Sequence, residues 1–160
     1  MSITSDTGPL IALAKVDLLN LLETAFTDVL IPPSVHRELL AKSGEEAQRL
    51  HAALGDYIKL TQLSGIPREV VRIARRLGPG EREAIALAVQ TGTPLLIDDR
   101  LGRLAARGLG VKVTGTAGCL VEIKLAGMIP AVRPVLEEMR RRGYYLSDAL
   151  VDAASRLAGE

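Results

Sequence analysis

Residues 94–114, PLLIDDRLGRLAARGLGVKVT, constrain the fold of this chain more than any other stretch. Leu95 to Ile97 is an apolar run of strand length, residues 101–109 repeat apolar positions at helical spacing, and Val111 to Thr114 returns to a strand pattern. A strand, a helix and a strand in so short a span form a β-α-β unit. Its strands run parallel, because the helix must carry the chain back across the sheet before the second strand starts. A parallel sheet needs apolar cover on both faces, so the rest of the chain has to supply more strands and two layers of helix.

The remaining sequence carries both. SITSD (2–6), DVLIP (28–32) and YIKLT (57–61) read as further strands. Thr7-Gly8-Pro9 reads as a break before one long helical pattern over residues 10–26. Pro33 and Ser34 stand at the entry to a helix with Val35, Leu39 and Leu40 on one face, and a polar helix follows over residues 45–54. Pro67 opens an arginine-rich helix to Leu77, Gly78-Pro79-Gly80 stops it, and Glu81 starts an apolar helix. Three more helical patterns follow at about 116–126, 131–142 and 148–157, the last behind the N-cap residue Ser147. The expected architecture is α/β: a mostly parallel sheet of four or five strands between helical layers. A single domain over 1–160, with a helical C-terminal portion from about 116, fits the absence of any repeat or long linker.

At 160 residues, 48% apolar and 24% charged, the composition is that of a globular domain, and no apolar run approaches a membrane span. The N-terminus lacks the basic region and cleavage site of a signal peptide, which places the chain in the cytoplasm. The one cysteine, Cys119, has apolar neighbours and reads as a buried helical thiol. The net charge of +1 argues against a general electrostatic coat for nucleic acid. Arginines are clustered, however, at 68–76, 100–107 and 140–142, and such clusters can hold phosphates locally.

The acidic residues are more informative. Ligands of parallel sheets bind beyond the carboxyl ends of the strands, where loops diverge and helix N-termini gather. Asp6 closes the first strand, and Asp98 and Asp99 close a later one. Glu38 follows the second strand on its helix, and Glu81 and Glu83 open the helix before PLLIDDR. Each has a plainer role open to it, as turn residue, solvated carboxylate or helix-dipole partner. Together, with no lysine interleaved, they would repel one another unless a cation lay between them. Oxygen-only donors suit Mg²⁺ or Mn²⁺, and there is no His/Cys set of the kind zinc prefers. His36 and His51 read as surface or packing residues.

SDTGPLIAL, VLIPPSVHREL, LGPGEREAIALA and LLIDDRLGR, followed by a strand and TGTAGCLVEIK, together resemble the PIN-domain superfamily of nucleases. More narrowly they resemble its branch of uncharacterised PIN-like proteins related to VapC-type toxins. The resemblance implies a three-layer α/β/α sandwich and a carboxylate cluster that binds Mg²⁺ or Mn²⁺. By position it implies Asp6 as the first-strand aspartate, Glu38 as the glutamate after the second strand, Glu83 as the acid opening the central helix, and Asp98 as the aspartate closing the next strand. Glu81 and Asp99 are neighbours able to assist or substitute, so the ligand in each pair stays open. The chain departs from the usual toxin in carrying Glu83 in place of an aspartate, and Ile-Asp-Asp in place of Thr-x-Asp.

The expectation is therefore a metal-dependent ribonuclease, the toxin of a toxin-antitoxin pair. Asp6, Glu81, Glu83, Asp98 and Asp99 are its candidate metal ligands, Asp6, Glu38, Glu83 and Asp98 its catalytic set, and Arg100 and Arg103 its guides for the RNA backbone. The resemblance also implies a homodimer and a small antitoxin protein as partners. Two other readings fit the same residues: a PIN-like module that binds protein or RNA through a decayed metal site, and a Mg²⁺-dependent phosphatase of small esters.

Overall fold

The computed structural model describes all 160 residues. Five short strands, β1 (Ile3–Ser5), β2 (Val29–Ile31), β3 (Ile58–Leu60), β4 (Leu95–Leu96) and β5 (Val113–Thr114), form one sheet in the order β3-β2-β1-β4-β5. Every pairing is parallel, as the β-α-β unit requires. The register sets Ser5 opposite Leu96 and Leu96 opposite Thr114, so the first residues after β1, β4 and β5 emerge side by side at one edge.

Helices α1 (Thr7–Lys15) and α2 (Leu21–Ala25) follow β1, and α3 (Pro33–Leu40) and α4 (Glu45–Ala53) follow β2. Helices α5 (Arg68–Ile73) and α6 (Pro79–Thr91) precede β4, and α7 (Arg100–Gly108) crosses to β5. The chain ends in α8 (Thr116–Leu125), α9 (Arg133–Arg141) and α10 (Asp148–Leu157).

Consecutive residues of a strand point to opposite faces, and β4 shows how this builds two cores. Leu95 and Ile97 enter the smaller one with Ala84, Ile85 and Ala88 of α6 and Ala105 and Ala106 of α7. Leu96 enters the larger one with Leu10 and Leu13 of α1, Leu120 of α8 and Leu136 of α9. All three β4-segment side chains are fully buried. Each contributes about 1.5–3 kcal/mol of transfer free energy, which lets so short a strand hold the centre of the molecule.

Four features differ from the sequence expectation. Thr7-Gly8-Pro9 does not interrupt the chain: it is the first turn of α1, where a proline's missing N–H has no helical partner to lose. The long pattern over 10–26 is broken between α1 and α2, with Asp17 in the left-handed region at φ 56°. Leu40 does not share the buried face of Val35 and Leu39 but is exposed. Finally, α6 starts at Pro79, two residues earlier than expected, and this changes which acid faces the site.

Candidate active site

From β1 the chain passes first to β2 on one side, and β4 and β5 lie on the other. The reversal of strand order at β1 and β4 opens a crevice at their carboxyl ends. A cleft of about 530 Å³ occupies it, lined by Asp6, Thr7, Gly8, Ile11, Glu38, Ala41, Lys42, Glu81, Asp98, Asp99 and Tyr144.

Asp6 lies deepest. Its backbone N–H donates to the Leu96 carbonyl at 2.9 Å, which ties the end of β1 to β4 and sets the residue at the N-cap of α1. Only 8% of it is exposed. Burial raises its carboxyl pKa to about 7; the Thr7 backbone N–H lowers it in part, and the charges of Glu81, Glu38 and Asp98 raise it further.

Asp98 leaves β4 beside it and is held from three sides. Oδ1 accepts the Thr116 N–H at 2.7 Å, at the N-terminus of α8, where the helix dipole favours a negative charge. Oδ2 accepts the Thr116 hydroxyl at 2.6 Å and the Tyr144 hydroxyl. Burial, with the charge of Asp98 and the hydrogen bond to it, pushes the phenol pKa well above its ordinary value, so the ring stays a neutral donor.

Glu38, exposed on α3, reaches the cleft from the opposite wall. Gly80 explains how: a Cβ there would lie 2.5 Å from Glu38 Oε1 and 3.6 Å from Asp6 Oδ1. The two carboxylates close over a residue that has no side chain to keep them away. Glu81, the third residue of α6, also lines the cleft, with Oε2 folded back over Gly78.

Glu83 does not line it. The Ser34 N–H donates to its Oε1 at 3.1 Å and the Ser34 hydroxyl donates to Oε2, while Arg37 donates to the same Ser34 oxygen at 2.9 Å. Glu83 thus fastens α6 to the first turn of α3. Two residues along a helix are about 200° around its axis, so Glu81 and Glu83 cannot face the same cleft. Asp99 divides its duties: it borders the cleft, but Oδ2 accepts the Gly102 N–H at 2.7 Å as the N-cap of α7. Arg103 flanks Asp98, since a Cβ on Gly115 would lie 2.8 Å from both Arg103 Nη1 and Asp98 Oδ1. Arg100 is exposed at the first position of α7.

Three cleft residues, and Thr116 behind Asp98, were not anticipated from the sequence. Lys42 brings one cation to a rim expected to have none, although it pairs with no carboxylate. Thr116 was detectable in principle, as the hydroxyl that opens α8 just after β5, beside the aspartate closing β4. Thr7 and Tyr144 carry no local signal; Tyr144 is separated from Asp98 by 46 positions of chain.

A family model described as a PIN domain matches residues 2–160. The chain belongs to the DUF3368 family of PIN domains. It is also similar in fold to a solved PilT N-terminus domain protein from the hyperthermophilic archaeon Sulfolobus solfataricus. That likeness has a TM-score of 0.51 at 16% identity and covers 92% of this chain and 98% of the other. Among curated proteins none matches. No helix of this PIN domain is long and apolar enough to cross a membrane.

PIN domains are generally nucleases and typically use a divalent metal. As placed, no three carboxylates of this chain are drawn into a ready-made cage. The donor chemistry nonetheless fits a hard cation. The cleft's acids offer only oxygen, Gly80 leaves space between Asp6 and Glu38, and the Thr7 hydroxyl is buried there without a hydrogen-bond partner. Asp6, Glu38, Glu81 and Asp98, with Asp99 at the border, are the residues that would hold it.

Proposed function

We propose that this PIN domain is a Mg²⁺- or Mn²⁺-dependent endoribonuclease acting as the toxin of a toxin-antitoxin pair. The observation that carries the reading is the convergence of Asp6, Glu38, Glu81 and Asp98 on one cleft around a buried, unpartnered threonine hydroxyl. Repulsion between acids so placed costs stability, which is reasonable only where a cation repays it.

A divalent ion bound there supplies a Lewis acid that activates water and stabilises charge at phosphorus. The side chains have separable tasks. Asp98 is fixed by Thr116 and Tyr144, so its remaining lone pairs keep one direction. Asp6 presents a carboxylate from the floor, and the Thr7 hydroxyl offers a donor and an acceptor beside it. Glu38, solvent-exposed and mobile about its side-chain torsions, is suited to accept a proton from the attacking water. Arg103, flanking Asp98, and Arg100 at the start of α7 suit the phosphates on either side of the scissile bond. With aromatic residues at only 2%, recognition rests on phosphate contacts and RNA shape rather than stacking. A small antitoxin protein and a second copy of the chain belong to the same proposal, supported by the resemblance to toxin-related PIN proteins.

The test is cleavage of a panel of structured RNAs with Mg²⁺, Mn²⁺ or EDTA, alongside Asp6→Asn and Asp98→Asn. Metal-dependent cutting abolished by both substitutions is the expected result. No cutting, with no metal binding by calorimetry, overturns it in favour of a binding module. Hydrolysis of p-nitrophenyl phosphate without RNA cleavage points instead to a phosphatase.

A further inference from the structure

The arginines divide into two kinds. Those of the α9 end are neutralised within the chain: Arg140 pairs with Asp148 at 2.6 Å, and Arg141 and Arg142 pair with Glu138 at 2.7 Å each. Residues 68–77 and 100–108 carry seven arginines against one glutamate, and none of the seven forms an ion pair or a side-chain hydrogen bond. These two segments lie against each other, because α5 packs on α7.

Between them runs an apolar groove of about 270 Å³ lined by Ile73, Arg76, Leu77, Leu101, Leu104 and Ala105. Leu101 and Leu104 are 54% and 52% exposed, and Ile73 is 40% exposed. Leu101 and Leu104 stand one helical turn apart on α7 and face outward, beside the buried Ala105. Nothing in the chain covers it. A contiguous apolar patch rimmed by charge is the ordinary mark of an interaction surface.

We propose that the α5–α7 groove is a docking site for an acidic, amphipathic helical segment of a partner protein. Charge chooses the occupant. Arg76, unpaired on the groove wall beside leucine-sized hollows, matches a helix with apolar anchors at every third or fourth position and Asp or Glu between them. RNA satisfies the arginines but leaves the leucines facing phosphate and sugar, with no aromatic ring in the groove for a base to stack on. A second copy docked groove to groove buries the leucines but sets arginine against arginine. The proposal stands apart from the nuclease reading, because the groove shares no lining residue with the acidic cleft. The two are close, since α7 begins at Asp99 on the cleft wall. A helix seated in the groove therefore lies beside the cleft mouth.

The test is panning of the full chain against a displayed library of helical peptides about 16 residues long, built from Leu, Ala, Glu and Lys. Enriched peptides are then measured by fluorescence anisotropy against wild type, Leu101→Ser/Leu104→Ser, Arg72→Gln/Arg76→Gln and Asp6→Asn, each checked for native circular dichroism. The expected consensus places leucine at helical spacing and glutamate in excess. Affinity should fall at least tenfold in both groove variants and stay within twofold in Asp6→Asn, whether or not the protein cuts RNA. Several results would overturn the proposal: no enrichment, a lysine-rich consensus, or binding indifferent to the leucine pair. So would tighter binding of an RNA of about 20 nucleotides that the arginine variant loses and the leucine variant keeps. A concentration-dependent dimer abolished by the leucine pair would assign the groove to a second copy.

Discussion

Asp6→Asn should stabilise the metal-free protein at neutral pH while destroying its affinity for metal. The carboxyl titrates at 3.8 ordinarily and near 7 in the fold, chiefly because it is buried. A raised folded-state value gives a definite sign. Below about pH 4 the acid is protonated in both states and the shift has its full stabilising effect. As pH rises towards 7 the unfolded chain releases its proton freely while the folded one resists, so stability falls, and above about pH 7 the loss is complete. At about 1.4 kcal/mol per pH step, the ionised carboxylate costs the fold at most about 4 kcal/mol at pH 8.

Asparagine keeps the shape and can still accept the Thr7 N–H, but it never ionises. Urea denaturation in EDTA should show the variant about equal to wild type near pH 4 and about 2–4 kcal/mol more stable at pH 8. For a chain of this length the gain corresponds to roughly 4–16 °C in Tm. Added Mg²⁺ should largely close the gap, because ligand at 100-fold its Kd stabilises the wild type by about 2.7 kcal/mol and the variant not at all. A difference that is flat with pH, or a variant less stable than wild type at pH 8 in EDTA, would refute the electrostatic account of the cleft.

Gly80→Ala tests the cradle between Asp6 and Glu38. Its Cβ would stand 2.5 Å from Glu38 Oε1, and Glu38 is an exposed side chain that can swing away. Stability should therefore hold or rise by up to about 1 kcal/mol from improved helix propensity, while calorimetry shows Mg²⁺ affinity down at least tenfold; unchanged affinity would remove Glu38 from the site. Glu83→Gln should do the opposite, costing about 1–2 kcal/mol in urea denaturation as the contact with Ser34 weakens, with Mg²⁺ affinity within twofold of wild type. A loss of affinity as large as that of Glu81→Gln would return Glu83 to the metal shell.

Much of this molecule is legible in one dimension where the signal is local. The β-α-β unit at 94–114 requires parallel strands, and the strands are parallel. The proline at the entry of α3 and the serine before α10 mark their helices where the structure has them, with the Ser147 hydroxyl accepting the Leu150 N–H. Two carboxylates that close strands, Asp6 and Asp98, meet at one edge because the strand order reverses between them. What the sequence left open turned on angle. Glu81 lines the cleft, while Glu83, about 200° further round α6, bonds Ser34 instead.

The pattern of apolar residues, read with turn chemistry, was sufficient by itself to determine an α/β chain with a parallel sheet and an acid-bearing edge. That follows because strand and helix periodicities and short crossovers are properties of neighbouring residues. Only the tertiary structure decided which acids share a cleft, that Tyr144 and Thr116 hold Asp98, and that one arginine cluster is paired while two carry no ion pair and an apolar groove opens between α5 and α7. Those outcomes depend on contacts between residues far apart in the chain, such as Tyr144 and Asp98 or α5 and α7. Burial and proximity then set charge and hydrogen bonding in ways that no local pattern records.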